Sequence, residues 1–132
     1  MMPDTHATNR VGYEKKSFLL YYNGGEIWFE HLECMYGNEN LVVEKLNADI
    51  PLFTKPSSTS FVCFVFFDTV ITDGIILAVK TALLESKKHF TKIAFCGLDR
   101  KSQKKFKKLF EDHGFGIAFF DGLEDAKMWL LP

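Results

Sequence analysis

Cysteine is scarce in this chain of 132 residues: Cys34, Cys63 and Cys96 are odd in number, widely spaced and without a C-x-x-C pair. That excludes a disulfide scaffold and a cysteine-based zinc site, and it fits a reducing cytoplasm. An excess of one charge is missing too. Sixteen Lys and Arg oppose seventeen Asp and Glu for a net charge of −1, which argues against a polyanion or an acidic substrate as partner. The longest apolar run, Phe61 to Phe67, is far too short to span a bilayer. The opening MMPDTHATNRVGYEKK lacks an apolar core and does not read as a signal peptide. A cytoplasmic protein without stable membrane insertion is therefore expected. Phosphate fingerprints and a nucleophile elbow are also absent: the chain has no GxGxxG, GxxxxGK or GxSxG, and Gly24-Gly25 and Gly114-x-Gly116 read as turns. His31-x-x-Cys34 is a single pair whose side chains would point to opposite faces of a strand. No metal and no cofactor are expected.

Apolar residues, at 47%, and charged ones, at 25%, place the chain among globular proteins rather than disordered ones. Phenylalanine is abundant, with fourteen residues, and predicts a core dense in rings. Residues 1–16 read as a frayed tail and 17–132 as one α/β domain. Two β-type runs, 17–22 and 26–33, flank Asn23-Gly24-Gly25 and predict a hairpin. Residues 38–50 carry helical spacing with Asn38 or Asn40 as cap. Pro51 and Pro56, with Ser57-Ser58-Thr59-Ser60, then mark a loop. From Phe61 the order is strand, helix, strand, helix, strand, helix: FVCFVFF, residues 73–86, Lys92–Gly97, Ser102–His113, Gly116–Phe120 and Leu123–Leu131. That order predicts βαβ units and a mixed, mostly parallel sheet behind the hairpin.

In such sheets function gathers beyond the carboxyl ends of the strands, here 68–74, 96–102 and 121–123. The first turn offers Thr69, Thr72, Asp73 and Gly74. A hydroxyl at a helix N-terminus suits phosphorylation, because the free N–H groups favour added negative charge; the plainer reading is capping by Thr72 or Asp73. Cys96 ends its strand near the next helix N-terminus, a place that can activate a thiol, yet His89 and His113 are poorly placed as bases, and a buried structural thiol is the plainer reading. The cations Arg100, Lys101, Lys104, Lys105 and Lys108 form a candidate interaction face. With Phe106 turned inward, that face has no stacking platform for bases, so no nucleic acid partner is expected.

The strand FVCFVFFD, the turn ITDGII, the segment KIAFCGLDRKSQKKFKKLF and the ending GIAFFDGLEDAKMWL together resemble the STAS, or SpoIIAA-like, superfamily of bacterial anti-sigma factor antagonists, over about residues 61–131. The resemblance implies a small regulatory module that binds a protein partner, such as an anti-sigma or kinase-like regulator, and catalyses nothing. Partner-switching members carry a turn close to Asp-Ser-Ser-Gly-Leu, phosphorylated on the second Ser. With Gly74 as anchor, Thr72 takes the first Ser position and Asp73 the phosphorylated one, while Ile71 replaces the Asp. This chain thus already holds a negative charge where the family gains one. Two other readings follow in rank: a carrier or sensor for an apolar ligand or lipid, suggested by the phenylalanines, and an enzyme using Cys96. A homodimer through the hairpin's edge strand is a further expectation.

Overall fold

The computed structural model describes residues 15–132; most of the expected tail lies outside them. Strands β1 (Phe18–Tyr22), β2 (Gly25–His31), β3 (Phe61–Val65), β4 (Lys92–Cys96) and β5 (Gly116–Phe120) form one five-stranded sheet in the order β1-β2-β3-β4-β5. The β1–β2 pair is antiparallel and the rest are parallel, so the chain is α/β with a mixed sheet. The hairpin turn is Asn23-Gly24 alone, both with positive φ (52° and 80°), as a tight turn matched to strand twist requires. Gly25 instead opens β2 opposite Tyr22, where a Cβ would meet the Leu131 side chain at 2.8 Å.

Helices α1 (Glu39–Phe53), α2 (Asp73–Leu84) and α3 (Arg100–Phe110) connect the parallel strands, and α4 (Leu123–Leu130) follows β5. Neighbouring strands follow chain order, and crossovers of one hand advancing in one direction put their helices on one face. Alternation along the strands sorts the side chains accordingly. Trp28, Val62, Phe64, Ile93 and Phe95 pack with Val42, Leu46, Val79, Phe106 and Phe110 of α1–α3. On the opposite face Ile27, Phe29, Cys63, Val65, Ala94 and Cys96 meet Ala126 and Leu130 of α4. Most of the phenylalanines pack against one another on the first face, Phe95 touching Phe64, Phe106 and Phe119 at centroid distances of 5.4, 4.6 and 5.6 Å.

Two helices run differently from their sequence pattern. Helix α1 continues through Pro51 to Phe53, not stopping at residue 50. Proline removes only one hydrogen bond, near the helix end and on its exposed side, whereas the extra turn buries Phe53 against Trp28 and Phe64 at 6.0 and 6.1 Å. Helix α3 begins at Arg100 rather than Ser102, because Asp99 is the cap: its Oδ1 accepts the Ser102 N–H at 2.8 Å. Among the described residues no helix is long and apolar enough to cross a membrane.

Candidate functional site

The carboxyl ends of β2, β3 and β4 meet in an irregular rim. Past its last residue β2 stays joined to the chain beyond β3: Cys34 N–H donates to Phe67 C=O at 2.8 Å, Tyr36 N–H to Asp68 C=O at 2.9 Å, and Val70 N–H to Tyr36 C=O at 2.7 Å. Three non-glycine residues there, Cys34 (φ 59°), Tyr36 (φ 49°) and Asp68 (φ 55°), occupy the left-handed region. Such residues persist only where their surroundings over-determine them, and they cluster at functional sites. Gly97 (φ 84°) closes the rim at the end of β4, where a Cβ would strike the Phe67 ring and backbone at 2.7–2.8 Å. A cleft of about 410 Å³ opens above, lined by Tyr36, Asp68, Thr69, Val70, Ile71, Gly97 and Asp99. Hydrogen bonding from the Ser102 N–H holds the Asp99 carboxyl below the usual range.

Each residue of the 68–74 turn has a defined place. Thr69 is a stitch: its hydroxyl donates to Leu32 C=O at 2.8 Å and accepts from Met35 N–H at 3.2 Å. Thr72 caps α2, accepting the Ile75 N–H at 3.2 Å and donating to the Glu39 carboxylate. Asp73 begins α2 with its side chain 90% exposed and pairs with Lys105 Nζ at 3.0 Å. Gly74 lies under Glu39, whose carboxylate atoms are 2.6–2.8 Å from where a Cβ would stand. The α2 N-terminus, which favours an anion, is thus already occupied by a carboxylate from α1. Sequence reasoning missed Glu39 because its partner is 33 residues away; the glycine at 74 was the one trace of so close an approach.

This contact predicts that the effect of a methyl depends on Glu39. Gly74→Ala should lie within about 0.5 kcal/mol of wild type, because the flexible Glu39 carboxylate swings aside and its lost contact with Thr72 offsets the helix preference for Ala. In a Glu39→Ala background the same change should stabilise by about 0.5–1 kcal/mol, as Ala normally does in a helix. Urea midpoints of the four proteins in this double-mutant cycle check it.

Around the rim three apolar side chains face solvent: Tyr36 is 50% exposed, Val70 59% and Leu77, one turn into α2, 60%. The basic face of α3 divides in two. Lys105 turns toward α2 and Asp73, while Arg100, Lys104 and Lys107 line a groove with Gln103 and Phe119. Lys101 and Lys108 are exposed but do not line that groove. Lys107 is therefore an addition to the expected face, and Phe119 places an aromatic ring beside the cations that periodicity within α3 could not disclose.

Cys96 does not face the α3 N-terminus. Alternation turns it to the opposite side of the sheet, fully buried with its Sγ 3.6 Å from Cys63 Sγ. The contact with Cys96 and burial push the Cys63 thiol up. His31 is buried and stacked on Phe18 and Phe29 at 5.4 and 6.1 Å, and burial lowers its pKa. Among the described residues no three His, Cys, Asp or Glu side chains gather where a metal ion could bind. No known protein family, curated protein or solved structure matches the chain.

Proposed function

We propose that this protein is a non-catalytic regulatory module of the STAS type, which docks a protein partner, an anti-sigma or kinase-like regulator, on the rim formed by the 34–37 and 68–74 loops and the first turns of α2. The observation that carries the reading is the rim itself. Its strained backbone is held by cross-loop hydrogen bonds, and it presents Tyr36 and Val70 to solvent. A preformed surface with apolar anchors and a charged neighbour is what specific docking needs, since little ordering remains to be done on binding. The exposed Asp73 supplies that charge; in partner-switching antagonists a phosphate gained at this position ends docking, so the partner of this chain is one that accepts a standing negative charge there. The resemblance of FVCFVFFD, ITDGII and GIAFFDGLEDAKMWL to that superfamily supports the same reading.

Affinity capture from cells that make the protein tests it. The wild-type chain and the Lys87→Glu control should retain one specific partner, whereas Val70→Asp and Asp73→Lys should lose it. A partner retained equally by all four proteins would overturn the reading.

A further inference from the structure

Strand β5 is the last in the sheet, and among the described residues nothing pairs with its outer side. Its inward hydrogen bonds fall on alternate residues: Gly116 N–H donates to Thr91 C=O at 2.9 Å, and Phe120 C=O accepts from Gly97 N–H at 3.2 Å. The ladder therefore turns the peptide groups of Ile117 and Phe119 outward, as a template for another strand. Short edge strands are commonly protected by their own charges, but GIAFF has none. The charges stand beside it instead. Arg100, Lys104 and Lys107 follow one another at helical spacing along α3 and border a groove of about 330 Å³ together with Gln103 and Phe119. Among the described residues none of the three has a carboxylate within ion-pairing distance, whereas Lys105 and Lys127 do. Carboxylates bracket the groove rather than fill it: Asp99 and Asp121 lie toward one end of β5, Glu111 and Asp112 toward the other.

We propose that this edge binds an extended acidic segment of a partner protein by strand addition. The segment's backbone pairs with Ile117 and Phe119, and its carboxylates, on alternate residues, reach Arg100, Lys104 and Lys107. Main-chain hydrogen bonds give such a site its affinity and the flanking side chains its selectivity. Outward peptide groups of a strand favour a polypeptide over a nucleic acid, which has no matching ladder. The inference rests on the interaction-module reading and adds a second contact to it, remote from Val70.

Selection of a random dodecapeptide library against the full chain tests the proposal. Enriched peptides should carry acidic residues at alternate positions. Their affinity should fall at least about tenfold for the triple variant Arg100→Glu, Lys104→Glu, Lys107→Glu, whose urea midpoint shows whether it remains folded. Methylating alternate peptide nitrogens should abolish binding, because it removes the strand pairing while keeping every charge. Peptides without an acidic pattern, no enrichment at all, equal binding of the methylated twin, or tighter binding of a dodecathymidylate would each overturn the proposal. Val70→Asp separates the two readings: it should leave peptide affinity unchanged while removing the captured partner. Peptide binding with no rim-dependent partner would refute only the rim reading, and the reverse only this one.

Discussion

Phe95→Ala is expected to cost about 3–5 kcal/mol, a large share of the roughly 5–15 kcal/mol that holds a typical domain together. Phe95 is fully buried and is the ring through which the others connect. It lies 5.4 Å from Phe64, 4.6 Å from Phe106, 5.6 Å from Phe119 and 6.5 Å from both Phe66 and Phe110. Removing it takes away apolar area and also leaves a cavity bounded by α3 and by β3 and β5, whose backbones the sheet ladder holds so that they cannot close in fully. Urea unfolding should show a lower midpoint with an unchanged slope, and Leu at the same position should recover part of the loss. A loss below about 1 kcal/mol would mean that the ring stack is not the centre of the core.

Glu30 carries the second large effect. It is fully buried on β2 beneath α1, its Oε1 accepting the Trp28 Nε1–H at 2.9 Å while, among the described residues, no group lies within ordinary hydrogen-bond distance of its Oε2. Burial, reinforced by the Asp49 carboxylate, pushes its pKa from 4.5 up to about 9, against the opposing Trp28 hydrogen bond and Lys45 charge. The folded protein therefore keeps a proton that the unfolded chain releases above about pH 4.5. Stability is full below that value and falls as pH rises toward about 9, by up to about 1.4 kcal/mol per unit. Glu30→Gln retains the acceptor for Trp28 and cannot ionise. It should stand near wild type at pH ~5 and exceed it by roughly 2–4 kcal/mol at pH ~8. His31 acts in the other direction: with its pKa lowered by burial, it loses stability only as pH falls below its ordinary value. Thermal unfolding of both proteins across this range measures the effect, and parallel curves would show that Glu30 is ionised in the folded state.

Strand positions were legible because their signals are local. The strand starting at Phe61 and the alternation of Ile27 and Phe29 with Trp28 depend only on near neighbours and stand where expected, although β3 ends at Val65 rather than Phe67 and the turn narrows from Asn23-Gly24-Gly25 to Asn23-Gly24. Helix ends were less legible. The α1 terminus is decided by where Phe53 can be buried, which outweighs the proline before it, and the α3 start by a cap that lies before its apolar spacing begins. The rim was legible only as a location. Its contents, Glu39 over Gly74, Tyr36 locked to Val70 and the Phe67 ring against Gly97, are contacts between residues distant in the chain, and no periodicity encodes them. The basic helix shows the same limit: Arg100, Lys104 and Lys107 separate from Lys105 only once β5 and α2 stand on either side.

Docking on the rim is the central claim, and site-specific photocrosslinking in cells tests it most directly. A benzophenone side chain at Val70 should yield a discrete adduct with one protein, while the same group at Lys87, exposed beyond the far end of α2, should yield none. Adducts from Lys87 with none from Val70 would contradict the account.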